Sequence, residues 1–465
     1  MVELLKKTYG GDFIKRAKEI SRFIKKDDAD EYEIFIASSL DNEIEVFNSD
    51  VESMSHSDSS GIGIRIIKDK RSGYAFCTSF DEKDITECIQ KAVSNSKITS
   101  AEEEKLLPSY EEFKYQEKAD IEEYMYSDKF FGLDIEGKIS LLKELEVIAK
   151  SKDKRITGVD SLNYSDNFSS TAIVNSNGFE GCYQSTSCFL FLNLISKKRE
   201  STSTGFSFEY KRDPYEFNLD KIASQAAEKS LMLLGAEKIK SSNSNIILDC
   251  IPASQFIGLI ASALNADSVQ KGRSLFKDKI GQKIFKDNID IFDDGIMREG
   301  FASKPFDGEG VNKGKTIIFE KGILKTYLYD TYTARKDKTL STGNAVRASY
   351  RSPSSVGASN FYLKPSNLPF KEMLKILDNG FYVTDIIGLH SGANPVSGDI
   401  SVGAKGIWIK NGEFFKPVRE VTIATDIISF CSKIDMVAED LTFFPSGGYT
   451  GSPGLLLREI SISGI

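Results

Sequence analysis

Residues 31–76, "EYEIFIASSLDNEIEVFNSDVESMSHSDSSGIGIRIIKDKRSGYAF", alternate apolar and polar side chains in short runs broken by Asp41-Asn42, Asn48-Ser49 and Asp69-Lys70. A period of two places one side-chain set on a buried face and the other on a polar face, and short polar breaks suit hairpin turns. The stretch therefore predicts an antiparallel meander. Its apolar face needs cover, and the flanking segments offer it. Asp12 to Lys26 is an amphipathic helix with Phe13, Ala17, Ile20, Phe23 and Ile24 as its stripe. "DEKDITECIQKAVSNSK" reads as a second helix, capped by Asp81 or Asp84.

An acidic stretch, residues 100–129, reads as a surface connection between lobes. The order helix, strands, helix then repeats. "DIEGKISLLKELEVIAKS" is helical, and "ITGVDSLNYSDN", "STAIVNSNG", "FEGCYQSTSCFLFLNLISK" and "STSTGFSFEYKR" are strands. "NSNG" at 175–178 marks a hairpin, because Asn and Gly tolerate positive φ. "LDKIASQAAEKSLMLLGAEKI" closes the half, with Gly235 as terminator. After "KSSNSN" come a strand "IILDCI", a buried helix carrying Phe256, Ile260, Ala263 and Leu264, and many short strands. Lys321-Gly322 and Asn411-Gly412 fall where hairpin turns belong. The expectation is an α+β protein. Residues 1–240 form an N-terminal α/β lobe of helices with antiparallel sheet, with candidate sub-units 1–113 and 114–240. Residues 241–465 form a C-terminal domain rich in antiparallel sheet with a few helices.

Net charge narrows the function. At −8, with a sequence pI of about 5.3, the chain lacks the overall basic footprint that grips phosphates, so direct nucleic-acid binding is disfavoured. No apolar run approaches the roughly 18–20 residues that span a bilayer. The N-terminal "MVELLKKTYGGDFIKRAKEI" has no continuous apolar core, so we expect no signal peptide and a cytoplasmic location. Six widely spread cysteines suggest reduced, mostly buried thiols, Cys182 and Cys188 included. Only two histidines, His56 and His390, are present, which leaves few ways to build a metal site or general base. His56 sits in what reads as a solvated polar turn.

Several motifs fail on inspection. "GEGVNKGKT" (308–316) has Glu309 where a phosphate-binding loop needs glycine, and a strand-like segment where it needs a helix, so it reads as a charged turn. "GIGIRI" (61–66) lacks the third glycine of a dinucleotide loop. The densest unusual stretch is 388–412, with six glycines, where His390, Asn394, Ser397 and Asp399 could line a pocket. The competing reading is a compact loop whose side chains satisfy its own amides. Trp408 follows on a strand and would anchor that loop. Arg335, Arg347 and Arg351 lie near Thr342, Gly343 and Asn344, where an arginine could clamp a peptide carboxylate; a solvated basic face is the alternative.

"NPVSGDISVGAKGIWIKNGEFFKPVREVTIATDI", "FDGEGV", "YTARK" with "STGNA", and "GSPGLLLREISISG" resemble the TldD/PmbA family, most closely its PmbA (TldE) branch. The resemblance runs from "GIGIRIIKDKRSGYAF" to the last residue. It implies paired subunits. TldD-like members carry H-E-x-x-x-H on a helix, which with a later Cys holds zinc, and act as metallopeptidases on unfolded or small peptides. PmbA-like members share the fold without those ligands, and the family also carries the older description of DNA gyrase modulator. Aligned through "KGRSLF" (271–276), the ligand, base and ligand positions fall on Ile257, Gly258 and Ser262. The cysteine position falls in "FPSGGYTG" (444–451), which has none, and Cys431 lies too early.

The resemblance thus implies a chain with no cofactor and no catalytic residue of its own. It would be a PmbA/TldE-like subunit that completes a zinc metallopeptidase with a TldD-like partner holding the zinc, or forms a homodimer in that partner's absence. Candidate contacts to substrate or partner are Arg335, Thr342, Asn344, His390, Asn394, Ser397 and Asp399. The alternative is a non-enzymatic regulator of the gyrase-modulator type.

Overall fold

The computed structural model describes residues 12–114, 121–394, 396–445 and 449–465. The reading of residues 1–11, Pro395 of the glycine-rich loop, and Ser446 to Gly448 of "FPSGGYTG" lie outside the described residues.

Strands β1 (Glu31–Phe47), β2 (Asp50–Lys68) and β3 (Arg71–Cys77) form the expected meander, and β4 (Ile156–Asn175), β5 (Glu180–Lys198) and β6 (Ser201–Lys211) form another. Pairing of β1 with β4 joins them in one antiparallel sheet ordered β3-β2-β1-β4-β5-β6. Asn48, Ser49, Asp69 and Lys70 all have positive φ, as tight two-residue hairpins require.

Asp41-Asn42 does not break the chain. It lies inside β1, facing Asn167 and Asp166 of β4. The Asn167 amide donates to Asp41 and the Asn42 amide to Asp166, each at 2.7 Å. The dipeptide read as a turn is therefore satisfied by Asp166-Asn167 across the ladder. The same pairing makes 156–175 a single strand where the local pattern predicts two. His56 likewise sits on strand β2 rather than in a turn, its Nδ1 2.8 Å from Asn42 Oδ1.

Helices Phe13–Ser21, Glu82–Ile98, Ile135–Ser151 and Leu219–Met232 cover one face of the sheet. Ile34, Ile36, Ile62, Ile64 and Ile66 meet Ile85 and Ile89 there, and Leu162, Leu190 and Leu192 meet Leu142, Leu145 and Ile222. Each such side chain contributes roughly 1.5–3 kcal/mol on full burial. The acidic connection is not wholly superficial, because Leu107, Ile121 and Met125 are buried.

In the C-terminal part, strands Glu413–Asp426, Asp399–Lys410, Gly380–Ile387, Ser242–Leu248 and Leu455–Ser463 follow one another, and the first pairs again with the last. Five strands thus close on themselves at one end, where Thr422 to Ala424 pair with Ser461 to Ser463, and Ile434–Val437 adds a sixth strand beside Leu455 to Leu457. A second sheet runs Ile323–Leu324, Lys315–Glu320, Ile291–Asp294, Asn360–Leu363, Tyr449–Ser452 and Thr442–Pro445. Helix Cys250–Ala263 packs against strands of both, which is why it is apolar nearly all round; Phe256 stacks on Phe430 with centroids 4.6 Å apart. Trp408 stacks on Phe381 against the same core.

Buried charges tie the lobes together. Arg65 of β2 pairs with Glu309 at 3.2 Å, and Arg347 pairs with Glu33 of β1, all four side chains being under a tenth exposed. Glu309 also accepts from the Thr331 amide and the Ser354 hydroxyl, at 3.2 and 3.0 Å. A Cβ at Gly61 would lie 2.4 Å from the Tyr350 ring, so the glycine in "GIGIRI" admits the C-terminal domain. Asp307 accepts from the amides of Glu309, Val311 and Ala345 at 2.9–3.1 Å. Burial, and then the Glu309 charge beside it, push its carboxyl up to about 7.

Replacing Arg65 by Ala strands Glu309 in the seam and should cost about 3–5 kcal/mol in denaturant unfolding. The double variant Arg65→Met with Glu309→Leu should lose less than the single one; equal losses would show that the pair is not coupled. Asp307 binds its proton more tightly folded than unfolded. Its contribution is therefore fully present below about pH 4 and lost as pH rises to about 7. The stability of the wild type relative to Asp307→Asn should fall between about pH 4 and about pH 7, and no change across that range would show the carboxyl already ionised in the folded protein.

Candidate functional site

Helix Cys250–Ala263 presents Gln255, Gly258, Leu259 and Ser262 along one face, as spacings of three and four residues dictate. Opposite lie Ile386 to His390, at the end of a barrel strand and in the turn that Gly388 opens at φ 80°. Between them is a cleft of about 550 Å³. The three positions singled out by resemblance divide. Gly258 and Ser262 border the cleft, whereas Ile257 is fully buried in the core. The Ser262 hydroxyl donates to the Gly258 carbonyl at 3.0 Å. Gln255 Oε1 is buried without a hydrogen-bond partner.

The donors bordering this cleft are a hydroxyl, an amide and the single imidazole of His390. Zinc in proteins takes three or four nitrogen, sulfur or carboxylate ligands. Among the described residues, no three His, Cys, Asp or Glu side chains converge on a point. The described residues bordering the cleft do not fit a zinc ion.

The glycine-rich loop adjoins the same region. Gly398, at φ 84°, would place a Cβ 2.3 Å from Leu275 of "KGRSLF", so the loop rests on the segment that follows the helix. Its polar groups largely serve the loop itself. Asn394 Oδ1 accepts from the amides of Val396 and Ser397, and the Ser397 hydroxyl donates to Asp399 at 2.7 Å. His390, Asn394, Ser397 and Asp399 are exposed, and only His390 borders the cleft.

Arg335, Thr342 and Asn344 lie elsewhere. Arg335 donates to the carbonyls of Leu106 and Leu107 and to Glu112, at 2.8–2.9 Å, and so anchors the acidic connection. The Thr342 hydroxyl donates to Asn344 Oδ1 at 2.6 Å. Asn344 is fully buried and donates to Asp293 and to the Gly357 carbonyl, at 2.6 and 2.9 Å. Of the three arginines read as a basic face, Arg351 is exposed and Arg347 is buried.

A charged network at the seam escaped sequence reasoning. The turn at 308–316 carries Glu309 and Lys313 inward. Lys313 donates to the Gly343 carbonyl and to Ser359 at 2.8 and 2.5 Å. Burial lowers its ammonium pKa and raises the Asp293 carboxyl. The available signal was charge inside glycine-rich runs, "FDGEGV" and "GIGIRI", which a periodicity argument treats as loop.

Comparison with known proteins agrees across the chain. Residues 32–96, 128–234 and 241–464 match the PmbA/TldA metallopeptidase domain 1, central domain and C-terminal domain. A metalloprotease PmbA homolog from Buchnera aphidicola (subsp. Acyrthosiphon pisum) is 28% identical over 433 residues, 93% of each chain. Metalloprotease PmbA of Escherichia coli O157:H7 is 27% identical over 418 residues, 89% of this chain and 88% of that one. A Thermotoga maritima crystal structure described as a modulator of a DNA gyrase superposes with a TM-score of 0.88 at 25% identity, covering 97% of this chain and 100% of that one. TldE from Thermococcus kodakarensis shares the fold, with a TM-score of 0.84 at 22% identity over 97% of this chain and 100% of that one. The seam motifs, the placement of the helix and these matches agree: the chain belongs to the PmbA/TldD family.

Proposed function

We propose that this chain is a PmbA/TldE-type subunit, without a metal site of its own, of a cytoplasmic two-subunit peptidase. A TldD-type partner would hold zinc and its activating glutamate, and this chain would shape the chamber and position unfolded or small peptides. In the partner's absence it would form a homodimer. The observation that carries the reading is the helix Cys250–Ala263. At the positions that hold ligand, base and ligand in TldD-like relatives stand a core isoleucine, a glycine and a hydroxyl already bonded to its own helix. The facing wall adds one imidazole, His390. The fold retains the helix, the cleft and the loop resting on "KGRSLF", which favours a role in shape and positioning over one in bond cleavage. No helix among the described residues is long and apolar enough to cross a membrane.

The test is to purify this chain alone and together with a TldD-type chain from the same genome, then measure zinc and cleavage of an unfolded peptide. The isolated chain should hold no stoichiometric zinc and cleave nothing, while the mixed complex should do both. Stoichiometric zinc or cleavage in the isolated chain sinks the proposal. Stable capture of a topoisomerase subunit, with no cleavage by the mixed complex, supports the regulatory reading in its place.

Within the mixed complex, Ser262→Phe would fill the cleft from its exposed rim. Peptide turnover should fall about tenfold or more with the thermal midpoint unchanged, a loss of roughly 1.4 kcal/mol in transition-state stabilisation. Unaltered turnover would show that the cleft does not border the peptide path.

A further inference from the structure

The helices cover one face of the N-terminal sheet, and part of the other face looks across a cavity of about 490 Å³ at the C-terminal domain. That volume lies within the roughly 300–1,000 Å³ typical of small-ligand sites. Ser39, Ser59, Ser169 and Thr171 put hydroxyl groups on the sheet side, and Tyr183 adds an aromatic face.

Lys304, Lys313 and Arg347 border the cavity with Asp41 and Asp307. Its two carboxylates are engaged: Asp41 by the Ser39 hydroxyl and the Asn167 amide, Asp307 by three backbone amides. Lys313 is bonded to Gly343 and Ser359. Lys304 differs. Among the described residues no carboxylate lies within ion-pair reach of its ammonium, which sits 5.6 Å from the Tyr183 ring centroid. It is also close enough to Lys313 to help depress that buried ammonium. Arg347, on the same wall, is already bonded to the Gly308 carbonyl through Nε and paired with Glu33 through Nη2. An ammonium with no carboxylate partner, beside a second cation in a cavity of this size, favours an anionic oxygen acceptor.

We propose that this interlobe cavity binds the terminal carboxylate of a short peptide, with Lys304 as its counter-ion. The proposal rests on the peptide-handling reading above and adds an end-recognition site remote in sequence from the helix Cys250–Ala263. The hydroxyl groups on the sheet side would meet the peptide's main-chain N–H and C=O groups. An acetylated tripeptide carries one charge and fits a site of this size.

The test is calorimetric titration of the full chain with acetyl-trialanine, its C-terminal amide and acetate. The free acid should bind about tenfold or more tightly than the amide, as a charge-assisted hydrogen bond implies. Lys304→Gln should weaken the acid about tenfold without moving the amide, and Lys304→Arg should keep the preference. Lys304 is half-buried and lies outside the seam pairs, so the thermal midpoint should hold in both variants. Equal binding of acid and amide, or no effect of Lys304→Gln, overturns the site while leaving peptide cleavage by the mixed complex as an independent measure of the broader reading. Acetate binding as tightly as the tripeptide overturns the peptide part. Acid-selective binding alongside a mixed complex that cleaves nothing would sustain this site and sink the peptidase role.

Discussion

Arg65 reaches out of the N-terminal sheet to Glu309 in a buried seam, and Arg347 reaches back to Glu33. Withdrawing four charges from water is costly, and their mutual attraction offsets that cost only while both partners hold position. The lobes are therefore docked in one register by charge as well as by apolar contact. Gly61 lets the Tyr350 ring lie against β2, and the Tyr74 hydroxyl donates to the Tyr350 carbonyl at 2.7 Å. The interlobe cavity follows from this register, since its walls come from both sides of the seam.

The second constraint is the helix Cys250–Ala263. Held between a closed five-stranded sheet and an open one, it has little freedom to rotate. Its narrow cleft-facing stripe ends in Ser262, and Ile257 is committed to the core. Packing on both sides thus holds the helix in place independently of what its cleft-facing stripe carries.

How far the residues alone reveal this depends on where each is satisfied. The hairpins at Asn48-Ser49, Asp69-Lys70 and Asn411-Gly412 were legible because positive φ at both turn positions is a local demand. Asp41-Asn42 misled for the opposite reason. Its turn preference is cancelled by Asn167 and Asp166, more than a hundred residues away. Arg335 invited a carboxylate-clamp reading, yet its donors meet Leu106, Leu107 and Glu112. The glycine-rich loop came closer to the bland reading than to the functional one, with Asn394 and Asp399 serving their own backbone or neighbour.

By itself the sequence determined the α+β class, the meanders and hairpins, the position of the buried helix and the resemblance to one family. Each of these follows from periodicity, turn chemistry or long motifs, which are local properties of the chain. Tertiary structure alone decided that the charges of "FDGEGV" and "GIGIRI" face one another, that Ile257 points away from the cleft while Gly258 and Ser262 border it, and that Lys304 meets no carboxylate among the described residues. Those outcomes depend on which distant group reaches a buried charge first. Burial makes that choice energetically large, and no local pattern records it.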